Sequence, residues 1–211
     1  GPPAGALPRR EGGAGCRAGM TRTENFARVE VASARELRTW LEQNHQQSES
    51  VWLVTWKKRA GARYVSRDDV LDELLAFGWI DGIRRKLDTD RTMQLISPRK
   101  AQHWARSYKE RAARLEADGR MAPPGRRAIE ASKAVGLWDF MDDVDALIRP
   151  DDLVEELRSN PTAAKRFDAF GPAVQRFALR WIKLARTPET RARRIRQTVE
   201  RAARGEKVPG A

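Results

Sequence analysis

Apolar residues recur along this chain with two different periods, and the change of period divides it. From Ser33 to Gln46, Ala34, Leu37, Trp40 and Leu41 fall on one helical face. Ser33 and Glu36 form a capping box at its start, the hydroxyl accepting from the Glu36 amide while the carboxylate reaches back. Val51 to Lys58 switches to a period of two, Val51, Leu53 and Thr55 alternating with Trp52, Val54 and Trp56, which predicts a strand apolar enough to be covered on both faces. The basic turn Lys57-Lys58-Arg59-Ala60-Gly61 ends it. Ser66 caps the next helix, Asp68 and Asp69 oppose its positive end, and Val70, Leu71, Leu74 and Leu75 form its stripe. Gly78 is placed to close that helix in a left-handed conformation. Gly82 to Leu87 and Thr92 to Ser97 then read as a hairpin around Asp88-Thr89-Asp90-Arg91, with Met93 and Leu95 alternating with Thr92 and Gln94.

Beyond Pro98 the helical period takes over. A helix is predicted from about Ala101 to Ala117, with Ala101, Trp104, Ala105, Tyr108, Ala112 and Leu115 facing inward and Gly119 as its stop. Met121 to Gly125 reads as a turn and Arg126 to Val135 as a helix, while Leu137 to Arg149, acidic and without a clear period, is the candidate linker. Helices follow over Asp151 to Ser159, Pro161 to Phe170, Pro172 to Arg186 and Pro188 to about Arg204, the last three opening on a proline whose missing amide is not needed there. The fold expected is α+β: a small, mainly antiparallel sheet of three or four strands flanked by helices, then an all-helical C-terminal part. Residues 1–23 are expected to be a disordered leader, 24–121 an α+β domain and 122–208 a helical domain. Gly1 to Gly19, rich in Gly, Pro and Arg, lacks the apolar core of a secretory signal, and Met20 is the expected natural start.

Composition narrows the class. Of 211 residues 40% are hydrophobic and 33% charged, the balance of a soluble globular protein, and no apolar run approaches the roughly 20 residues that span a bilayer. The single cysteine, Cys16, lies in the leader, so the folded body has no thiol for a disulfide, a zinc site or a nucleophile, and a reducing cytoplasmic setting fits. His45 and His103 are too few and too separated to suggest a metal cluster. No phosphate-cradling glycine loop and no nucleophile elbow occurs, and no cofactor or metal is expected. The net charge of +12 favours anionic partners. More than half of that excess sits between Arg180 and Lys207, where ten basic residues face three acidic ones.

Candidate chemistry concentrates at Phe77-Gly78-Trp79-Ile80-Asp81-Gly82, where a helix hands over to a strand. Trp79 and Phe77 are either a ligand wall or core packing at the corner. Asp81 is either a partly desolvated carboxylate, able to act as acid, base or anchor, or the ordinary Asp of an Asp-Gly turn. Arg84 and Lys86, two residues apart on a strand, share a face and with Arg85 and Arg99 can converge on an anion, or else form a solvated face. Lys57 and Lys58 would join that patch only from a neighbouring strand. Glu73, one turn before Phe77, suits a salt bridge to it, and His103 an exposed helical position. Arg191, Arg194 and Arg201 can track a phosphate backbone, making sequence-independent nucleic-acid binding an alternative, or form the solvated face of a helix with Ile195 and Val199 buried.

Five spaced blocks together resemble the YdeI/OmpD-associated family, also called bacteriocin-protection proteins. They are Val51-Trp52-Leu53, Phe77 to Gly82, Ile96-Ser97-Pro98-Arg99 followed by Trp104, Gly119-Arg120-Met121, and Trp181-Ile182 through Thr187-Pro188-Glu189-Thr190-Arg191. They occur in the family's order and cover nearly everything after Ser33. The resemblance implies a small cytoplasmic bacterial protein of bacteriocin or antimicrobial-peptide tolerance and stress, a context rather than a reaction. This chain departs where the family's tryptophan is commonly followed by serine and, three residues further, asparagine: Trp104 here precedes Ala105 and Tyr108. The candidate ligand-binding set is Trp79, Asp81, Arg84, Lys86, Arg99 and Trp104, for an anionic small molecule or protein partner bound without catalysis. An enzyme acting on a small anion through Asp81 is the remaining alternative.

Overall fold

The computed structural model describes residues 25–209, so the expected leader with Cys16 and Met20 lies outside the described residues. Four strands, β1 (Arg28–Glu30), β2 (Val51–Trp56), β3 (Trp79–Lys86) and β4 (Arg91–Pro98), form one sheet in the order β1-β2-β4-β3. The β3–β4 hairpin and the antiparallel β2–β4 pair realise the alternation in the sequence. Strand β1 runs parallel to β2 at the edge and, at three residues, is too short to show a period. Nine helices follow or interleave among the described residues: α1 (Ala34–Asn44), α2 (Arg67–Ala76), α3 (Arg106–Ala117), α4 (Pro123–Ala134), α5 (Asp142–Asp145), α6 (Asp151–Arg158), α7 (Pro161–Ala169), α8 (Pro172–Lys183) and α9 (Pro188–Ala203). The fold is therefore α+β, with the sheet in the N-terminal half. Among the described residues no helix is long and apolar enough to cross a membrane.

The predicted caps of the first two helices form as the sequence requires. Ser33 accepts from the Glu36 amide, Glu36 reaches back to the Ala32 amide, one residue before the cap, and Ser66 accepts from the Asp69 amide. Two of the boundaries that differ from expectation have a visible cause. Helix α3 begins at Arg106, because the Trp104 amide donates to the Leu137 carbonyl and the Arg106 amide to Asp145, which draws residues 101–105 out of helical register. Helix α4 begins at Pro123, two prolines filling the positions whose amides have no helical partner.

Two apolar cores form. The first gathers Val51, Leu53 and Ile96 of the sheet with helices α1 to α4, and extends through Ile129 with Trp138 packed against it. The second begins at Met141 and collects α5 to α9. The cores thus meet inside the acidic stretch read as a linker, whereas the expected domain boundary at 121/122 falls within the first core, because α4 packs on α2. Gly125 is the reason it can. A Cβ there would lie 2.4 Å from the Ala76 carbonyl oxygen and 2.8 Å from that of Leu75, so only glycine permits the approach.

Helix α2 is buried on every side from Val70 to Ala76, and that stretch includes two carboxylates, Asp72 and Glu73, each only 4% exposed. Arginines from three directions neutralise them. Asp72 receives Arg111, Arg114 at 2.7 Å and Arg120 at 3.2 Å; Glu73 receives Arg38 at 3.0 Å and Arg120 at 2.9 Å. Glu73 therefore pairs with α1 and the segment after α3 and not with the cations of β3. Burial alone would raise the Asp72 carboxyl, but hydrogen bonds from Arg114 and Arg111 and their charges outweigh it and hold it below the ordinary carboxylate value.

The depressed folded value fixes the sign of a pH effect: the stabilisation is complete above the ordinary carboxylate pKa and is lost as pH falls through the lower folded value. Asp72→Asn should cost about 3 kcal/mol at neutral pH, with its gap to wild type narrowing as urea unfolding is repeated from about pH 6 down to about pH 3. A gap independent of pH would refute the pairing. Gly125→Ala should cost about 2 kcal/mol or more by separating α4 from α2, whereas Gly119→Ala, at φ 66° with open space around it, should cost about 1 kcal/mol of backbone strain in the same chemical melts.

Candidate functional site

The corner singled out by the sequence is built at Gly78. Its φ of 70° ends α2 and turns the chain directly into β3, and the Arg99 amide donates to its carbonyl at 2.9 Å, pinning the end of β4 beside it. The next residue, Trp79, points into the first core. It is 1% exposed, meets Trp40 edge-on with ring centroids 5.5 Å apart, and donates its indole N–H to the His45 carbonyl at 3.1 Å. Phe77 is also buried, under Arg38, whose guanidinium carbon lies 5.2 Å from the ring centre. Both aromatics of the expected ligand wall are thus packed inside.

Asp81, two residues on and on the same face of β3, enters a polar chain. Its carboxylate accepts from the Tyr108 hydroxyl and, at 3.0 Å, from the Gln94 amide, whose carbonyl oxygen in turn accepts from Arg84 at 3.3 Å. A register shift between Asp81 and Arg84, spanning Gly82 and Ile83, lets both reach Gln94 on the neighbouring strand. Burial, then the hydrogen bond to Asp81 and that carboxylate's charge, push the Tyr108 phenol up to about 12, so it remains a donor. Asp81 therefore lies within β3 and not in a turn, and each of its carboxylate oxygens accepts from one neutral donor.

Arg99 closes the chain at the far end. Its guanidinium carbon sits 3.6 Å from the centre of the Trp104 ring and 5.7 Å from that of Tyr108, and Nη2 donates to the His103 carbonyl at 3.2 Å. Nε and Nη1 are shielded from solvent and have no hydrogen-bond partner, as does the Trp104 indole N–H. Burial pulls the guanidinium down to about 10, still charged at neutral pH. Trp104 is fully buried, held between Arg99 and Trp138, whose ring centre lies 5.0 Å away.

The expected cation cluster is therefore divided. Arg84 and Lys86 do share a face, opposite Gln94 and Thr92, but Lys86 lies seven residues along β3 from Trp79, roughly 20 Å from the Arg99 end at strand spacing. Arg85 turns to the opposite face and lies over Trp52 at 5.3 Å. Lys57 donates to the carbonyls of Asp88 and Thr89 in the β3–β4 turn, away from the corner. The three C-terminal arginines are engaged within their own bundle: Arg191 grips Asp152 at 2.6 and 2.9 Å, Arg194 donates to the Trp181 carbonyl, and Arg201 donates to that of Lys207 at 2.8 Å. Among the described residues no cluster of three or more His, Cys, Asp or Glu side chains is placed to hold a metal.

Gln94 and Tyr108 complete the chain and escaped sequence reasoning. The alternation in β4 sets Met93 and Leu95 on one face and Thr92 and Gln94 on the other. In register it is Gln94 and Ile96 that share the face of Leu53 and Val51, and Gln94 is only 6% exposed. A glutamine at the buried phase of a strand was the available signal. Tyr108→Phe should destabilise the protein by about 1.5 kcal/mol, and in a double-mutant cycle with Asp81→Asn the two losses should fall short of additivity by about 1 kcal/mol. Additive losses in urea melts would show that the hydroxyl and the carboxylate act separately.

Comparison with known families divides the chain much as its cores do. Residues 29–128 match the model of a domain of unknown function, DUF8412, and residues 146–205 match the family described as bacteriocin-protection, YdeI or OmpD-associated. No curated protein and no solved structure matches the chain. Four of the five blocks that carried the resemblance lie in the first segment, and Trp181 to Arg191 lies in the second. A YdeI/OmpD-associated family domain is thus present in the helical C-terminal part of this chain, over residues 146–205.

Proposed function

We propose that this is a cytoplasmic, non-catalytic binding protein of bacteriocin or antimicrobial-peptide tolerance and stress, which takes an anionic ligand at the corner formed by Arg99, Trp104, Tyr108, Asp81 and Arg84. The observation that carries the reading is Arg99. It is a shielded guanidinium with no acidic partner among the described residues and two donor groups unused, whereas Arg111 and Arg120 meet the buried acids of α2. An uncompensated cation away from water is costly, and an anion that supplies acceptors to Nε and Nη1 removes the cost. Arg84, whose one hydrogen bond among the described residues is to the neutral Gln94, adds a second cation along the same polar chain. The engagement of each Asp81 oxygen by a neutral donor, Tyr108 and Gln94, speaks for an anchoring role over that of acid or base, and the internal hydrogen bonding of Arg191, Arg194 and Arg201 speaks against a phosphate backbone lying along them. The bacteriocin-tolerance context rests on the family domain at 146–205.

Thermal melts titrated with sodium phosphate and with sodium sulfate, against sodium chloride at matched ionic strength as the control for general salt stabilisation, test this. Wild type should show a saturable rise, equivalent to about 1.4 kcal/mol at tenfold excess over the dissociation constant. Arg99→Gln should lose the saturable part and keep the general salt response, and Arg84→Ala should weaken it. A wild type whose response to phosphate and sulfate is linear and the same as that of Arg99→Gln would overturn the proposal.

A further inference from the structure

The two cores meet along a seam that none of the family matches explains, and a small cavity of about 200 Å³ opens on it. Its floor is apolar, made by Met141 and Val144 of the segment around α5 and by Phe177 of α8. One wall is His103, from the stretch between β4 and α3; another is the exposed face of α8, where Arg176 and Arg180 stand one helical turn apart. Arg176 makes no ion pair or hydrogen bond among the described residues. The Nη2 of Arg180 lies 3.1 Å from Nε2 of His103 and makes no ion pair. Because a guanidinium only donates, Nε2 must accept, and His103 is the neutral tautomer with its proton on Nδ1. The one carboxylate in the lining, Asp145, already caps α3 by accepting from the Arg106 amide at 3.0 Å.

We infer that this seam is a second binding site, for a small amphipathic anion: a carboxylate held by Arg176 and Arg180, carried on a short apolar or aromatic body resting on Met141, Val144 and Phe177. The volume sets the size. It lies below the range of about 300–1,000 Å³ of drug-sized pockets and equals about seven waters' share of liquid, which suits a body the size of a benzene ring or a short alkyl chain. Two arginines at one-turn spacing offer a forked grip that a carboxylate fits and a neutral ligand does not. The ligand would touch both cores at once, so binding would also fix the N-terminal sheet part against the family domain. His103 would register it. Burial, Arg180 and Arg99 now hold its pKa below the ordinary value; Lys183, over Phe140, is neutralised by Asp143, and Asp145 is the carboxylate in the lining, so an anion in the cavity relieves the repulsion from Arg180 and Arg99 and raises the imidazole. Binding is therefore tighter as pH falls through the titration of His103.

Sodium benzoate and sodium hexanoate are the probes, read by calorimetry on the full chain and by NMR titration of the His103 ring, assigned with His103→Asn. The expected result is saturable binding of both, a raised His103 pKa in their presence, and roughly tenfold weaker binding for each of Arg176→Gln and Arg180→Gln, whose exposed positions leave the fold intact. Arg84→Ala, which weakens the corner through a residue whose one hydrogen bond among the described residues is to Gln94 and not to His103, should leave benzoate affinity within roughly threefold, so that failure at one place is separable from failure at the other. Three results would overturn the inference: no benzoate binding at tens of millimolar, binding unchanged in the double variant Arg176→Gln/Arg180→Gln, or inorganic phosphate binding to the same residues as tightly as benzoate.

Discussion

The encirclement of Asp72 and Glu73 by arginine is the constraint on which the N-terminal half depends. A helix buried on all sides cannot expose its carboxylates, and an ionised carboxylate without partners in that setting would cost several kcal/mol. The partners come from α1, from α3 and from the loop after it, so satisfying two acids fixes the place of three segments around α2. Arg120 touches both acids, which ties the end of α3 to the middle of α2 and sets where Met121 and Ala122 enter the core. From there α4 is committed to run back across α2 at Gly125, and its carboxyl end delivers Leu137 and Trp138 to Trp104. The corner at Arg99 is thus downstream of an ion network that it does not touch.

This contrast between arginines clarifies what each does. Arg111, Arg114 and Arg120 hold charge opposite charge, and their removal exposes a buried acid. Arg99 instead lies on the Trp104 face, with attraction to a ring quadrupole in place of a counter-ion and with two donors unused. Ring attraction of this kind is worth about 1 to 2 kcal/mol when shielded, less than the loss of hydration for an unpaired guanidinium. A fold stabilised only for its own sake would place an apolar side chain there. The imbalance is the reason for assigning Arg99 a role outside the folded chain itself.

Much of the fold was legible because local signals and tertiary ones agreed. Ser33, Ser66, Gly78 and the prolines at 161, 172 and 188 each mark a boundary that forms within a residue or two of its predicted place. The failures have a common cause. Residues 101–105 carry a helical period, but the Trp104 amide goes to Leu137 and that of Arg106, just beyond, to Asp145, partners that no local pattern announces. Strand β1 exists because β2 offers it an edge. The site was less legible than the fold, since spacing along β3 correctly put Arg84 and Lys86 on one face but could not say that Arg99 stands at the opposite end of the hairpin. Tyr108 was concealed in an apolar stripe, and its hydroxyl matters only because Asp81 lies across from it.

The division of the chain by family and the division by packing point the same way, and the seam between them acquires meaning from that agreement. One matched segment ends at residue 128 and the other begins at 146, while the first core is closed by Trp138 and the second opened by Met141. Polar contacts cross between them: Lys109 with Asp139 and Asp142, Asp145 with the Arg106 amide, Arg180 with His103. Polar seams of this kind bind parts together less firmly than a shared apolar core does, and they respond to charge. Arg99 grips the His103 carbonyl from one side while Arg180 meets the same residue's ring from the other. His103 is therefore engaged by both, through its carbonyl by the corner and through its ring by α8.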